Sequence, residues 1–143
     1  MIDDSSFGVI PYLVEQDHFL FLLIKHQKGH WDFPKGHKDG DETDLQAASR
    51  ELKEETGLTP ISILEQPIFA ERYKFTDPQK GKINKIVYFY LGNVNRAPIK
   101  IQDTEVADYG WFEYEQALEK ITFEQGKKIL NEANHFLCQK KPD

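Results

Sequence analysis

Three glutamates, Glu51, Glu54 and Glu55, stand three and four residues apart in the run Arg50-Glu51-Leu52-Lys53-Glu54-Glu55. At about 100° per residue a helix gathers them within about 80° of one another, beside the apolar stripe of Leu45, Ala48 and Leu52. Like charges at these spacings destabilise an isolated helix by roughly 0.2–0.5 kcal/mol per pair, so a purely structural helix gains nothing from them. A divalent cation reverses the sign, because hard ions such as Mg²⁺ are held by a few carboxylates together with water and phosphate oxygens. Arg50, four residues before Glu54, can pair with it and fix its orientation. Upstream, Lys25, Lys28, Lys35 and Lys38 lie among His26, His30 and His37 with Asp32 the one acid between them. Taken alone, that run is either a solvated surface or an anion site.

These groups need elements to hold them. Thr43 to Gln46 has the form of a capping box, and the helical pattern after it stops at Gly57, which predicts a helix over 44–56. Phe7 to Val14 and Phe19 to Ile24 flank the polar Glu15-Gln16-Asp17 and read as a hairpin that ends in the basic run. From Gly29 to Gly40 the chain mixes glycine, proline and charge, as a surface loop close to a ligand does. Ile68 to Phe75 and Lys85 to Val94 are predicted strands, with a shorter one from Asp108 to Phe112. Leu130, Ala133 and Leu137, with Ile129 and Phe136, predict an amphipathic C-terminal helix over about 123–138. The tail from Gln139 to Asp143 reads as a frayed end. Strands and helices mix without strict alternation, so the expected fold is α/β, one mixed sheet between helices on both faces.

At 143 residues the chain can bury one core but hardly two, and a single domain over 1–143 is expected. The longest apolar run, Phe19 to Ile24, is far short of the roughly 20 residues of a membrane-spanning helix. The acidic amino terminus has no signal-peptide pattern, which implies the cytoplasm. One cysteine, Cys138, allows no internal disulfide and is read as small apolar filling. A net charge of −6 argues against a general nucleic-acid coat, and nothing in the chain demands a dimer, so a monomer is expected.

The glutamate helix belongs to a longer pattern. Gly36, five residues, Glu42, seven residues, then Arg50-Glu51-Leu52-Lys53-Glu54-Glu55-Thr56-Gly57-Leu58 matches every fixed position of the Nudix box over 36–58. The sequence resembles a Nudix hydrolase, and the order of segments suits that family's α/β/α sandwich. The resemblance implies hydrolysis of a nucleoside diphosphate linked to another group, with Mg²⁺ or Mn²⁺ bound on the box helix. It makes Glu51, Glu54 and Glu55 metal ligands, with the Gly36 carbonyl a further one. Glu54, Glu51 or the downstream Glu105 then serves as general base, Glu54 ranked first.

His30-Trp31-Asp32-Phe33-Pro34-Lys35-Gly36-His37 resembles the His-Trp-x-x-Pro-Lys-Gly-His run of asymmetric diadenosine tetraphosphate hydrolases, and Phe123 to Cys138 resembles their last helix. The substrate so implied is a dinucleoside polyphosphate cut to ATP and AMP. His30, Lys35 and Lys85 would contact its phosphates, Lys85 from the start of its strand. Tyr73 and Phe123 would stack on adenine, with Phe75 a further candidate. Trp31, Trp111, His18 and His135 are read as structural or surface residues, His135 as a capping or packing group. Competing readings are removal of pyrophosphate from triphosphorylated RNA ends, nucleotide binding without turnover, and hydrolysis of diphosphoinositol phosphates. Three arginines and an acidic balance weigh against RNA, and three intact box carboxylates weigh against binding alone.

Overall fold

In the computed structural model, which describes residues 1–140, β1 (Ile2–Glu15) is the hub of a mixed sheet. Near its end it turns into β2 (His18–His26) through Gln16 and Asp17, both at positive φ as a tight two-residue hairpin requires. Two short strands follow, β3 (Trp31–Asp32) on β2 and β4 (Lys35–Gly36) on β1, where the sequence suggests only loop. Next comes α1 (Asp44–Thr56), then the long antiparallel pair β5 (Ser62–Asp77) and β6 (Gly81–Asn93), and β6 runs parallel to β1. β7 (Val106–Glu113) returns to β2, and α2 (Tyr114–Lys120) and α3 (Glu124–Lys140) close the chain.

Alternation along the strands makes two cores. On β1, Val9 faces α1 with Leu22, Ala48, Leu52 and Tyr90, whereas Ile10 faces α2 and α3 with Phe21, Phe89, Leu130 and Ala133. Helices therefore cover both faces, the expected α/β/α sandwich. α1 runs over the residues predicted for it. Thr43 Oγ1 accepts from the Gln46 N–H at 3.2 Å, the Gln46 side chain accepts from the Thr43 N–H at 2.9 Å, and Gly57 ends the helix at φ 79°.

Several expectations need correction. β1, β5 and β6 begin well before Phe7, Ile68 and Lys85, because edge pairing with a neighbouring strand recruits polar residues that carry no periodic signal. α2 was not foreseen. α3 keeps Gln139 and Lys140 helical, while residues 141–143 of the expected frayed tail lie outside the described residues. Cys138 is exposed on α3 and fills no core, its sulfur 3.9 Å from Asn134 Oδ1. His135 is also exposed and bonds Gln139, so it neither caps nor packs.

Candidate active site

The acids of α1 meet the glycine-bearing strand β4. Glu55 faces the interior, 5% exposed, and its Oε2 accepts the Lys35 backbone N–H at 3.1 Å, tying the helix to β4. Burial first, then the neighbouring Glu51, pushes the Glu55 carboxyl up to about 8. Glu51 is half-buried, and burial raises it against the pull of Arg50. Gly36 lies directly against it: a Cβ there would fall on the Glu51 carboxylate, so only glycine allows the approach. Glu54 is the exposed member, its Oε2 accepting from Arg50 Nη1 at 3.1 Å.

Arg50 does more than pair with Glu54. Nε donates to Glu42 Oε2 at 2.7 Å, Nη2 to the His37 carbonyl at 2.7 Å, and Nη1 also to Glu51 Oε1 at 3.0 Å. One guanidinium thus joins both acidic turns of the helix to the loop before it. The hydrogen bond to Glu42 above all raises the Arg50 pKa well above its ordinary value.

Glu51, Glu54, Glu55 and Glu105 line one cleft of about 760 Å³ together with Lys35 and Lys85. A second pocket of about 340 Å³ shares His30, Lys35 and Tyr73 with it and adds Phe123, Asp32 and Glu71. The predicted phosphate and stacking residues therefore come together, around two pockets that share lining residues. Phe123 is 54% exposed, its ring 5.6 Å from His30, and Phe75 stands beside Tyr73 on the cleft side. Trp31 packs edge-on against Phe112 under Lys120, as a structural tryptophan should. His18 pairs with Glu113 at the surface.

Two cationic candidates differ from expectation. Lys85 is buried and pinned, donating to Asp4 Oδ2 and Ser6 Oγ at 2.6 Å each, where the resemblance implies a lysine reaching phosphate from the start of its strand. Burial would raise Asp4, but hydrogen bonds from His37 and Lys85 outweigh it and hold the carboxyl below its usual range. The His26 ring stacks on His30 at 4.2 Å, and burial, then the charges of His30 and Lys35, pushes His26 down to about 3. His30 is lowered too, by burial and then by Lys35 and Lys28, which favours its neutral form.

The donor set suits a hard divalent cation: three carboxylates crowd one helix, and the absence of a side chain at Gly36 lets the Glu51 carboxylate lie against β4. As they stand, no three His, Cys, Asp or Glu groups among the described residues converge in metal-binding geometry, and Arg50 Nη1 holds oxygens of both Glu51 and Glu54. Asp32, expected only as the lone acid of the basic run, and Glu71, to which the sequence assigns no role, are both buried at the second pocket. The signal was present in Phe69-x-Glu71-x-Tyr73, where alternation puts an acid on the same strand face as two aromatics.

The NUDIX domain family matches residues 4–132. Bis(5'-nucleosyl)-tetraphosphatase [asymmetrical] of Mus musculus is 35% identical over 123 residues, covering 82% of this chain and 80% of that protein. An RNA pyrophosphohydrolase of Sulfurovum sp. is 30% identical over 117 residues, covering 75% of this chain and 73% of that protein. Among solved structures, the C. elegans Ap4A hydrolase binary complex superposes with a TM-score of 0.76 at 25% identity, covering 94% of this chain and 98% of that one. With the box glutamates gathered on α1 against Gly36 and the family matched over most of its length, the chain belongs to the NUDIX domain family and is a Nudix hydrolase.

Proposed function

We propose that this hydrolase cuts diadenosine tetraphosphate asymmetrically into ATP and AMP, by attack of water on phosphorus, in the cytoplasm. One observation carries the substrate: the acidic cleft and the aromatic pocket share a wall of His30, Lys35 and Tyr73. A ligand with a flat base at one end and a long anionic chain fills both. Tyr73 and Phe123 flank the base, a contact worth about 1–3 kcal/mol where bases stack on aromatic side chains. Lys35 supplies charge and His30 an N–H to the phosphates. Lys85, held by Asp4 and Ser6, presents a fixed positive end to the cleft.

Glu51, Glu54 and Glu55, with the Gly36 carbonyl, would hold Mg²⁺ or Mn²⁺. Such an ion lowers the pKa of bound water and offsets charge on the leaving phosphate. Glu54, the exposed acid of the three, is the proposed general base, and Glu105 on the same cleft is the alternative.

The test is incubation with diadenosine tetraphosphate and Mg²⁺ in oxygen-18 water, with products separated and weighed. ATP plus AMP, abolished by Glu54→Gln in a protein that still melts cooperatively, supports the assignment. Two molecules of ADP would refute it. The RNA pyrophosphohydrolase likeness favours a second reading, release of pyrophosphate from triphosphorylated RNA. Against it, Arg50 and Arg96 are engaged with glutamates, which leaves Arg72 as the one arginine without a recorded ion pair among the described residues.

A further inference from the structure

Glu105 reaches the cleft from the loop between β6 and β7, and its exposed carboxyl makes no hydrogen bond or salt bridge among the described residues. It nevertheless stands near the box acids, since its charge adds to burial and to Glu51 in raising Glu55. With no side-chain partner to hold the carboxyl, its place is set by the backbone. That backbone makes a turn in which the Glu105 N–H, at 3.0 Å, and the Val106 N–H, at 2.8 Å, both donate to the Gln102 carbonyl. On its near side the loop is tied to the end of α1. The Lys100 N–H donates to the Thr56 carbonyl at 2.9 Å and the Gln102 N–H to the Glu55 carbonyl at 3.3 Å.

The far side of the loop is held by Gln27. Its backbone N–H donates to the Glu105 carbonyl at 2.9 Å, and its Nε2 donates to the Asp103 carbonyl at 2.6 Å and, more loosely, to the Val106 carbonyl at 3.4 Å. A side-chain amide has two N–H donors, so this one bridges carbonyls on either side of Glu105. Gln27 itself stands on a stiff support. It follows β2 in a turn closed by two hydrogen bonds of 2.8 Å, from the His26 N–H to the His30 carbonyl and from the Gly29 N–H to the His26 carbonyl. Gly29 takes φ 104° there, and the His26 and His30 rings stack at 4.2 Å. One turn therefore carries His30, on the wall shared by cleft and pocket, and grips the loop that carries Glu105.

We propose that Gln27 is a positioning residue for the hydrolysis: its side-chain amide fixes the loop around Glu105, so that this carboxylate faces the box glutamates at a set distance from His30. The inference rests on the proposed hydrolysis, in which Glu105 works in the cleft beside the box acids, and adds a residue that acts through Glu105. Whether Glu105 takes the proton or adds negative charge at the cation site, its contribution depends on where the carboxylate stands. Misplacement by about 1 Å costs on the order of 10²-fold in rate. The backbone bond from Gln27 survives any substitution of its side chain, so the variants below remove only the bridge from Nε2 to the Asp103 and Val106 carbonyls.

The test is a double-mutant cycle on the full chain, with Gln27→Met, Glu105→Gln and the two combined, and with Gln27→Ala as a second removal of the amide. Gln27 is exposed and methionine keeps its length, so folding should survive. Gln27→Met should lower kcat at least about tenfold with KM little changed, and should cost nothing further once Glu105 is glutamine. Amide exchange followed by NMR gives a readout without turnover. The Glu105 and Val106 N–H groups should exchange at least about threefold faster in Gln27→Met, and those of α1 at the parent rate. Exchange unchanged at those two amides, full activity in Glu105→Gln, or losses that simply add in the combined variant each overturn the proposal. A loss confined to KM would make Gln27 a substrate contact and overturn it as well. Cleavage is followed on diadenosine tetraphosphate and, if the parent leaves that uncut, on triphosphorylated RNA. Failure with the first removes the proposed substrate, while the coupling of Gln27 to Glu105 is still read on the second and in the exchange rates.

Discussion

Gly8→Ala tests whether the seam between β1 and β4 sets the geometry of the acidic site. Gly8 pairs with Lys35 of β4 on one side and with Phe89 of β6 on the other. A Cβ there would overlap the Pro34 carbonyl oxygen and lie 2.8 Å from Lys35 Cβ and 2.9 Å from the Phe89 ring. Carbon contacts settle near 3.5–4.0 Å, so β4 must retreat by roughly 1 Å or the core around Phe89 must shift. Overpacking of this kind costs about 1–3 kcal/mol, which lowers the melting temperature by roughly 3–10 °C in a domain of this size. The functional loss should be larger. β4 carries Gly36 against Glu51 and the Lys35 N–H that binds Glu55 at 3.1 Å, and a shift of about 1 Å breaks the second contact and reopens the first. Misplacement of that size costs on the order of 10²-fold in rate. Thermal melts followed by circular dichroism, with kcat/KM for diadenosine tetraphosphate on the same preparation, measure both. A variant that melts within about 1 °C of the parent and keeps full turnover would show that β4 is not held by this seam.

Phe123→Ala removes an exposed ring beside His30, so it should raise KM for an adenosine-ended substrate by roughly 5–150-fold, the range of about 1–3 kcal/mol, with the melting temperature unchanged; an unchanged KM would place base stacking elsewhere. Glu71 imposes a pH dependence on stability. Its carboxyl rises from 4.5 to about 7 in the fold, chiefly through burial and then through Asp32, so its contribution to stability is complete below pH 4.5 and is lost as the pH rises through about 7. Melting temperature should therefore decline between pH 5 and pH 8, and the decline should be shallower in Glu71→Gln; parallel curves for the two proteins would remove Glu71 as its source.

What could be read from the sequence follows the range over which each signal acts. α1 was legible to its ends because its capping box, its apolar stripe and Gly57 are all local, and the spacing of Glu51, Glu54 and Glu55 is a property of the helix itself. The burial of Glu55 was not, since it depends on β4 arriving with a free Lys35 N–H. The pinning of Lys85 was not legible, because nothing near it in sequence shows that Asp4 and Ser6 lie alongside, an effect of the parallel pairing of β1 with β6. Asp32 lies within the run that carries the resemblance, but its burial depends on β3 joining β2, and Glu71 is separated from it in sequence by a helix and most of a strand. β3 and β4 have two residues each, too few for any periodicity to register.

For the dinucleotide substrate proposed above, the wall shared by cleft and pocket would make the intact molecule a two-footed ligand. Once the base end is seated, the phosphate end meets its site at an effective concentration set by the short tether between them, in the millimolar range for short flexible links. The proposed hydrolysis would cut the link between the two nucleotides. A product released without its base end would hold on through its phosphate contacts alone, so the proposed cleavage would loosen the grip on that half and help clear the site.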